Sequence, residues 1–539
     1  MTQEHHDAIV IGAGLGGLVA AVLLAKANKR VLLLEHHTIP GGYAHEFRRG
    51  RYRFDIALHA LDGALPGGWS YEALKHTGVL ERLPLRRLDP FYVARFPGRE
   101  VVAHADLPAY ERELVRHFPS EAGGIRALFE AMLRVYTQTQ QLREELRDER
   151  VPRELVPVRF PEALSAQGQS WGDFARQYTR NDELLAVLST VWGYYGLPPS
   201  RLNAATFILP WVSYHQYGAF YPAGGGMALS RALEAIFKQH GGQVRYRQTV
   251  ERILVHEGRA VGVETRSGLR ATADVVVSNS SVPTTLLKLV GPEHLPPGVV
   301  EALGGMTASL SSLAVYLGLK RDIRELGWNA HHELFLSDGY DIEADHAAVL
   351  RGDWERVQLG LSHHSEVDNP APPGCSVLNL FALAPADYRN HWGTGGTQEG
   401  YQQLAEYRKL KEEAGEALLS RAERLLPGLR ESIVFKEVST PLTNVRYSLN
   451  PGGAICGFEQ SMGQVYAGRP SLRSCIENLF LTGAWTTFGG GMSAAMYSGA
   501  EVGRLAVAQL EQRHVAMIQF GEWPGRRRAR KTGTRMPGN

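Results

Sequence analysis

Three glycines and one acid carry the clearest chemistry in this 539-residue chain. Gly12, Gly14 and Gly17 stand in G-x-G-x-x-G spacing, and Glu35 follows 18 residues (35 − 17) after the last of them. In such a loop the first glycine permits a tight turn. The second lets a pyrophosphate approach the backbone, and the third lets a helix lie close on a strand. Free N–H groups at the helix N-terminus hold the phosphates, and an acid at the end of the next strand takes ribose hydroxyls. Ala13 and Gly16 belong to the same loop. The pattern is that of a dinucleotide site, and an acid at position 35 disfavours a ribose 2′-phosphate.

The elements needed to place those residues are all legible. "DAIVI" (7–11) reads as a strand, 18–27 as an apolar helix, and "RVLLLE" (30–35) as a second buried strand, a complete βαβ unit. The chain then makes a Gly41-Gly42 turn six residues after the acid, followed by the short strand "YRFDIA" rather than another βα repeat. A second glycine run, "FGGGMSAAMYSGAEV" (488–502), follows a buried strand, "NLFLTGAW" (478–485), that ends in Gly483-Ala484. Glycine inside a helix costs about 1 kcal/mol relative to alanine. The run therefore predicts a helix that begins at Gly491 and Met492 and brings its N-terminal N–H groups against a ligand. The two glycine runs are two halves of one site, so the ends of the chain are expected to meet.

Between them, residues 220–250 read as loop, helix, Gly-Gly turn and strand, with Met227, Leu229, Leu233, Ile236 and Phe237 marking a core face. A meander over 250–256, 259–266 and 269–272 leads into a separate buried strand, "DVVVS". Residues 66–190 read as helix-rich and charged. Residues 300–430 mix strands at 311–319 and 376–383 with an amphipathic helix at 401–425.

Nine of the 30 residues from Trp192 to Tyr221 are aromatic, against 9% for the whole chain. Such a cluster suits a wall for a long apolar ligand, with Trp192, Tyr194, Trp211, Tyr217 and Phe220 as its candidate faces. Four adjacent histidine pairs, among them His36-His37 and His363-His364, point to opposite faces of any strand and predict no metal site. Cys375, Cys456 and Cys475 are widely spaced thiols. A net charge of +2 gives no case for nucleic acid. No basic leader precedes the uncharged stretch 8–25, which predicts a cytoplasmic chain without a spanning helix. The basic end, 520–539, reads as a solvated tail.

The string "GGYAHEF…YRFDIALHAL" (41–61) resembles the second cofactor signature of glutathione-reductase-like and amine-oxidase-like flavoproteins, E-x5-G-G-(R/K), with Tyr43 where those have Arg or Lys. That departure resembles the phytoene desaturase, carotenoid isomerase and retinol saturase family, with matching motifs at 8–61, 220–282 and 439–506. The resemblance implies FAD as cofactor and a Rossmann-type α/β FAD domain, discontinuous in sequence, over 1–65, 220–290 and 439–512. An interleaved α+β substrate domain would fill 66–219 and 291–438. It also implies that Val250 meets the adenine, that Asn279 lies where the chain returns to the cofactor, and that Met492 is the first side chain over the flavin ring. His59 falls where the retinol saturase pattern has histidine, which makes it a candidate proton donor or orienting group. The implied activity is saturation or cis–trans isomerisation of carbon–carbon double bonds in a carotenoid- or retinoid-like isoprenoid. Desaturation is the alternative, and a flavin amine or alcohol oxidase the alternative from another class. A water-insoluble substrate further implies peripheral contact with the inner face of a membrane.

Overall fold

The structure is a computed structural model that describes residues 4–517 other than Ala330, Val367 and Asn369; the basic tail lies outside the described residues. The βαβ unit is present as strand Glu4–Ile11, helix Leu15–Lys26 and strand Val31–Leu34. Val31–Leu34 is buried at every position, and burial on both faces produces an unbroken apolar run. The helix begins three residues before the apolar pattern (18 − 15), so Gly16 and Gly17 lie in its first turn. A Cβ on Gly17 would fall 2.1 Å from the Gly12 carbonyl oxygen, which is why that helix can lie so close to its strand.

These strands sit in a seven-stranded sheet. Its order is Gln243–Arg245, Val31–Leu34, Glu4–Ile11, Arg270–Ser278, Arg259–Thr265 and Val250–His256, with Leu479–Leu481 also paired to Arg270–Ser278. The expected break between 269–272 and "DVVVS" is absent. Arg270–Ser278 is one strand with two partners on the same edge. Its first residues pair antiparallel with Gly262–Glu264, and its last, Val276–Ser278, pair parallel with Leu479–Leu481.

A second seven-stranded sheet runs Ile433–Ser439, Ser311–Leu319, Ser376–Ala384, Leu359–Ser362, Glu333–Leu336, Tyr92–Phe96 and Arg99–Ala103. The last two fall within 66–190, a stretch that is helix-rich as read but also contains strands. The stretch also holds Leu85–Leu88, which joins Leu61–Asp62 and Ala219–Pro222 in a small three-stranded sheet. Long helices there, above all Ala122–Arg147, drown the signal of three strands of four or five residues.

The first and last helices, Leu15–Lys26 and Met492–Leu510, cross at contact distance. A Cβ on Gly499 would fall 2.3 Å from the Gly16 carbonyl oxygen, and one on Gly503 would fall 2.9 Å from Leu23 Cβ. The small residues of the second glycine run thus serve helix-on-helix packing as well as the site, and the two chain ends meet through them. Among the described residues no helix is long and apolar enough to cross a membrane.

Candidate active site

Asn279 is the hub between the chain ends. Its backbone N–H donates to the Ile11 carbonyl at 2.8 Å, carrying it to the mouth of the first turn. Its side chain stands so close to three glycines that a Cβ on Gly14, Gly16 or Gly483 would lie 2.6, 2.7 and 2.7 Å from it. The Gly41 N–H donates to the Ala13 carbonyl at 2.7 Å, and a Cβ on Gly42 would meet Gly14 Cα at 3.1 Å. Three glycine turns that are far apart in sequence therefore share one wall. Ser498 joins them by accepting from the Gly483 N–H at 2.8 Å and donating to the Ala495 carbonyl at 2.8 Å.

That wall opens on a cavity of about 880 Å³, near the upper end of ligand pockets, ~300–1,000 Å³. Of the residues expected at a cofactor, Gly12, Gly14, Gly16, Glu35, Gly41, Gly42, Tyr43, Val250, Asn279, Gly483, Ala484, Gly491 and Met492 line it. Ala13 and Gly17 do not: Gly17 packs the helix, and Ala13 presents its N–H to Glu35 Oε2 at 2.7 Å. Glu35 Oε1 accepts from the His37 N–H at 2.7 Å. Both carboxylate oxygens are held by the backbone, and each keeps a lone pair for a hydroxyl. Gly491 has φ +109°, and a Cβ on it would meet no atom within 4 Å, so the N-terminus of the last helix faces open space in the cavity. A large cavity lined by a buried acid, a glycine-rich wall and a bare helix N-terminus fits FAD.

Tyr43 hydrogen-bonds toward the closing segment, to the Ala454 carbonyl at 3.3 Å and Ser448 Oγ at 3.4 Å. Burial pushes its phenol up to about 12, so it acts as a neutral donor. It holds the second glycine turn where the related signature has a cation.

The segment 56–60 crosses the cavity wall, pinned from four sides. Buried Asp55 accepts from the N–H groups of Leu58 at 3.0 Å and Gly226 at 2.7 Å, which fixes it to the "PAGGG" loop. Tyr316 donates to the Ile56 carbonyl at 3.2 Å, Tyr214 to the Ala60 carbonyl at 3.2 Å, and Asn379 to the Asp55 carbonyl at 3.1 Å. His59, held by this clamp, lines the cavity. Its Nδ1 lies 3.1 Å from both oxygens of Glu333 and 2.9 Å from Ser362 Oγ, which itself donates to Glu333 at 2.6 Å. Glu333 is fully buried. Burial opposes a charge on His59, but the Glu333 carboxylate overcomes it, and the imidazole pKa lies above its ordinary value of 6.5. Glu333 and Ser362 were missed by sequence reasoning. They come from neighbouring strands of the second sheet, and nothing near them in the chain marks them.

The aromatic cluster divides. Tyr194 lines the cavity, joined by Tyr195 and Tyr214. Trp192, two residues away, is buried against a separate small void beside Phe335. Trp211 is buried against Tyr110, Phe129 and His215. Tyr217 packs on Tyr136, and Phe220 lies on the strand paired with Leu61. These four are core and joint residues rather than cavity wall. The candidate site instead gains Leu209, Pro210, Trp69 and Phe488. Among the described residues no group of three or more His, Cys, Asp or Glu is arranged to hold a metal ion.

Comparison with known proteins agrees with this geometry. The family described as flavin containing amine oxidoreductase matches residues 15–505. The chain is 28% identical over 529 residues to the chloroplastic prolycopene isomerase of Daucus carota, covering 94% of this chain and 81% of that protein. It is 28% identical over 520 residues to the all-trans-retinol 13,14-reductase of Macaca fascicularis, covering 89% of this chain and 82% of that one. In structure it is similar to an oxidoreductase from Methanosarcina mazei, with a TM-score of 0.59 at 17% identity over 92% of this chain and 99% of that chain. A putrescine oxidase double mutant also scores 0.59 at 14% identity, over 95% and 100%. The last two establish the fold alone.

Proposed function

The chain belongs to the flavin-containing amine oxidoreductase family, and from that premise we propose that it is an FAD-dependent enzyme acting on carbon–carbon double bonds of a long isoprenoid, by saturation or isomerisation. One observation carries the reading: the glycine-lined wall and an aromatic chamber belong to one continuous cavity, with His59 on its surface. Its relatives' names, a prolycopene isomerase and a retinol reductase, point to polyenes. The flavin supplies hydride chemistry when bound. Gly14, Gly42, Asn279 and Gly483 would seat its pyrophosphate side, Glu35 its ribose, and the helix N-terminus at Gly491 and Met492 its ring.

The chain's own contribution is positioning and a proton. Tyr194, Tyr195, Leu209 and Trp69 exclude water and align an apolar chain. Saturating a double bond needs a proton at one carbon as well as a hydride at the other, and His59 is the group placed to hold it. Nδ1 is committed to Glu333 and Ser362, so Nε2 is the nitrogen left for the substrate. An amine oxidase reading finds less support, because the rings packed beside His59 are those of Tyr194 and Phe381. Collection of such a substrate implies peripheral contact with a bilayer.

The test is a panel of carotenoids and retinoids incubated with the purified protein, its flavin oxidised or reduced, followed by product mass. Gain of two hydrogens marks a saturase, no change of mass with altered geometry an isomerase, and loss of two hydrogens a desaturase. A purified protein without flavin absorption refutes the whole reading.

A further inference from the structure

Arg143 projects from the helix Ala122–Arg147 into the same cavity, on the side of Trp69 and Phe488. It is 3% exposed. Its guanidinium carbon lies 3.6 Å from the centre of the Trp69 ring, 5.3 Å from that of Tyr497 and 5.7 Å from that of Phe488. Nη1 donates to Gln140 Oε1 at 3.2 Å, and Nε is buried with no partner among the described residues. Among the described residues Arg143 makes no ion pair. The nearby carboxylate, Glu501, is taken by Arg147 at 3.4 Å and Arg504 at 2.8 Å. Asp62 lines the cavity too, but its Oδ1 accepts from Ser493, and burial raises its carboxyl pKa and so favours the neutral acid.

A guanidinium stays protonated at any physiological pH. Burial disfavours its charge, and buried charges are normally matched by a counter-charge. Here the aromatic rings supply partial compensation only, through their negative faces. The Nη end of the guanidinium is planar and suited to two oxygens of one carboxylate.

We infer that Arg143 recognises a carboxylate at the end of an apolar chain, so that the substrate of the proposed enzyme is an isoprenoid acid rather than a hydrocarbon. The inference rests on the reading of the cavity as a polyene site and assigns its specificity. Trp69, Leu209, Pro210 and Phe488 take the hydrocarbon chain, and the arginine fixes which end enters and therefore which double bond comes past His59.

The test is calorimetric titration of the flavin-loaded protein with two matched pairs: all-trans-retinoic acid against all-trans-retinol, and hexadecanoic acid against hexadecanol. The acid of each pair is expected to bind at least about ten-fold more tightly than the alcohol, the effect of a charged hydrogen bond. Arg143→Met is expected to bring that ratio close to one, chiefly by weakening the acid, and Arg143→Lys to retain part of it. Equal affinity for acid and alcohol in the wild type overturns the inference, and needs no variant to fold. So does an Arg143→Met protein that loses acid and alcohol alike, which marks a packing role. A variant with an altered flavin absorption spectrum and an intact acid preference also overturns it, since the arginine then serves the cofactor. Acid preference in the fatty pair with no binding of either retinoid supports the carboxylate site and refutes the polyene reading separately.

Discussion

Replacing Glu333 by glutamine removes one negative charge 3.1 Å from His59 Nδ1 and preserves the shape and an acceptor oxygen. Two unit charges about 4 Å apart interact by ~4 kcal/mol at an effective dielectric constant of ~20. At ~1.4 kcal/mol per pH unit that bounds the shift at ~3 units, and an opposite charge at such range moves a pKa by ~1–3 units. The groups around His59 are few. Asp55 adds a smaller push upward, while His332, brought down to about 4, and His364, also pushed down, stay neutral because of burial first. Loss of Glu333 therefore leaves burial largely unopposed, and His59 is expected to fall from above 6.5 to below it. Titration of the holoprotein labelled with 13C-histidine, with His59→Gln to assign the resonance, reads that pKa directly. In wild type, turnover that needs a protonated His59 is lost as pH rises through its raised pKa, and in Glu333→Gln the loss moves to lower pH. Stability follows the same sign. A folded pKa above the unfolded one gives a contribution complete below ~6.5 and lost as pH rises through the folded value. In the variant the depressed pKa reverses this, and its His59 contribution is lost as pH falls. A His59 pKa that is the same in both proteins refutes the reasoning.

Gly499→Ala drives a methyl group to within 2.3 Å of the Gly16 carbonyl; a loss of ~1–3 kcal/mol is expected from overpacking, seen as a lower thermal midpoint together with reduced flavin content. Tyr194→Phe removes a buried hydroxyl that has no partner among the described residues, so stability is expected to hold or rise, and a fall by urea titration would mean that the hydroxyl is paired. Trp211→Phe thins a fully buried cluster with Tyr110 and Phe129; it is expected to lower the unfolding midpoint while leaving ligand affinity unchanged, and a selective loss of ligand affinity would return Trp211 to the cavity wall.

The sequence by itself determined the cofactor half of this protein. Gly12 to Glu35 is a local unit in which strand, turn, helix and acid follow one another, so spacing carries the geometry directly. The run at Gly489–Gly491 announced its helix N-terminus for the same reason. The dual use of Gly499 and Gly503 was not legible there, because a glycine's packing partner lies on another helix. Tertiary structure alone decided the surroundings of His59 and the aromatic part of the cavity. Glu333 is 274 residues from His59 and Ser362 is 303 residues away, and only strand pairing in the second sheet brings all three together. Tyr194 and Trp192 differ by two positions in a short helical turn, and its rotation, set by packing, sends one to the cavity and the other to the core. Arg143 reads in the sequence as one more charge on an amphipathic helix, and only the rings of Trp69, Tyr497 and Phe488 closing over it make it a buried cation. Composition and spacing specify what a segment does with its own neighbours, whereas a site assembled from distant segments depends on which faces the core buries.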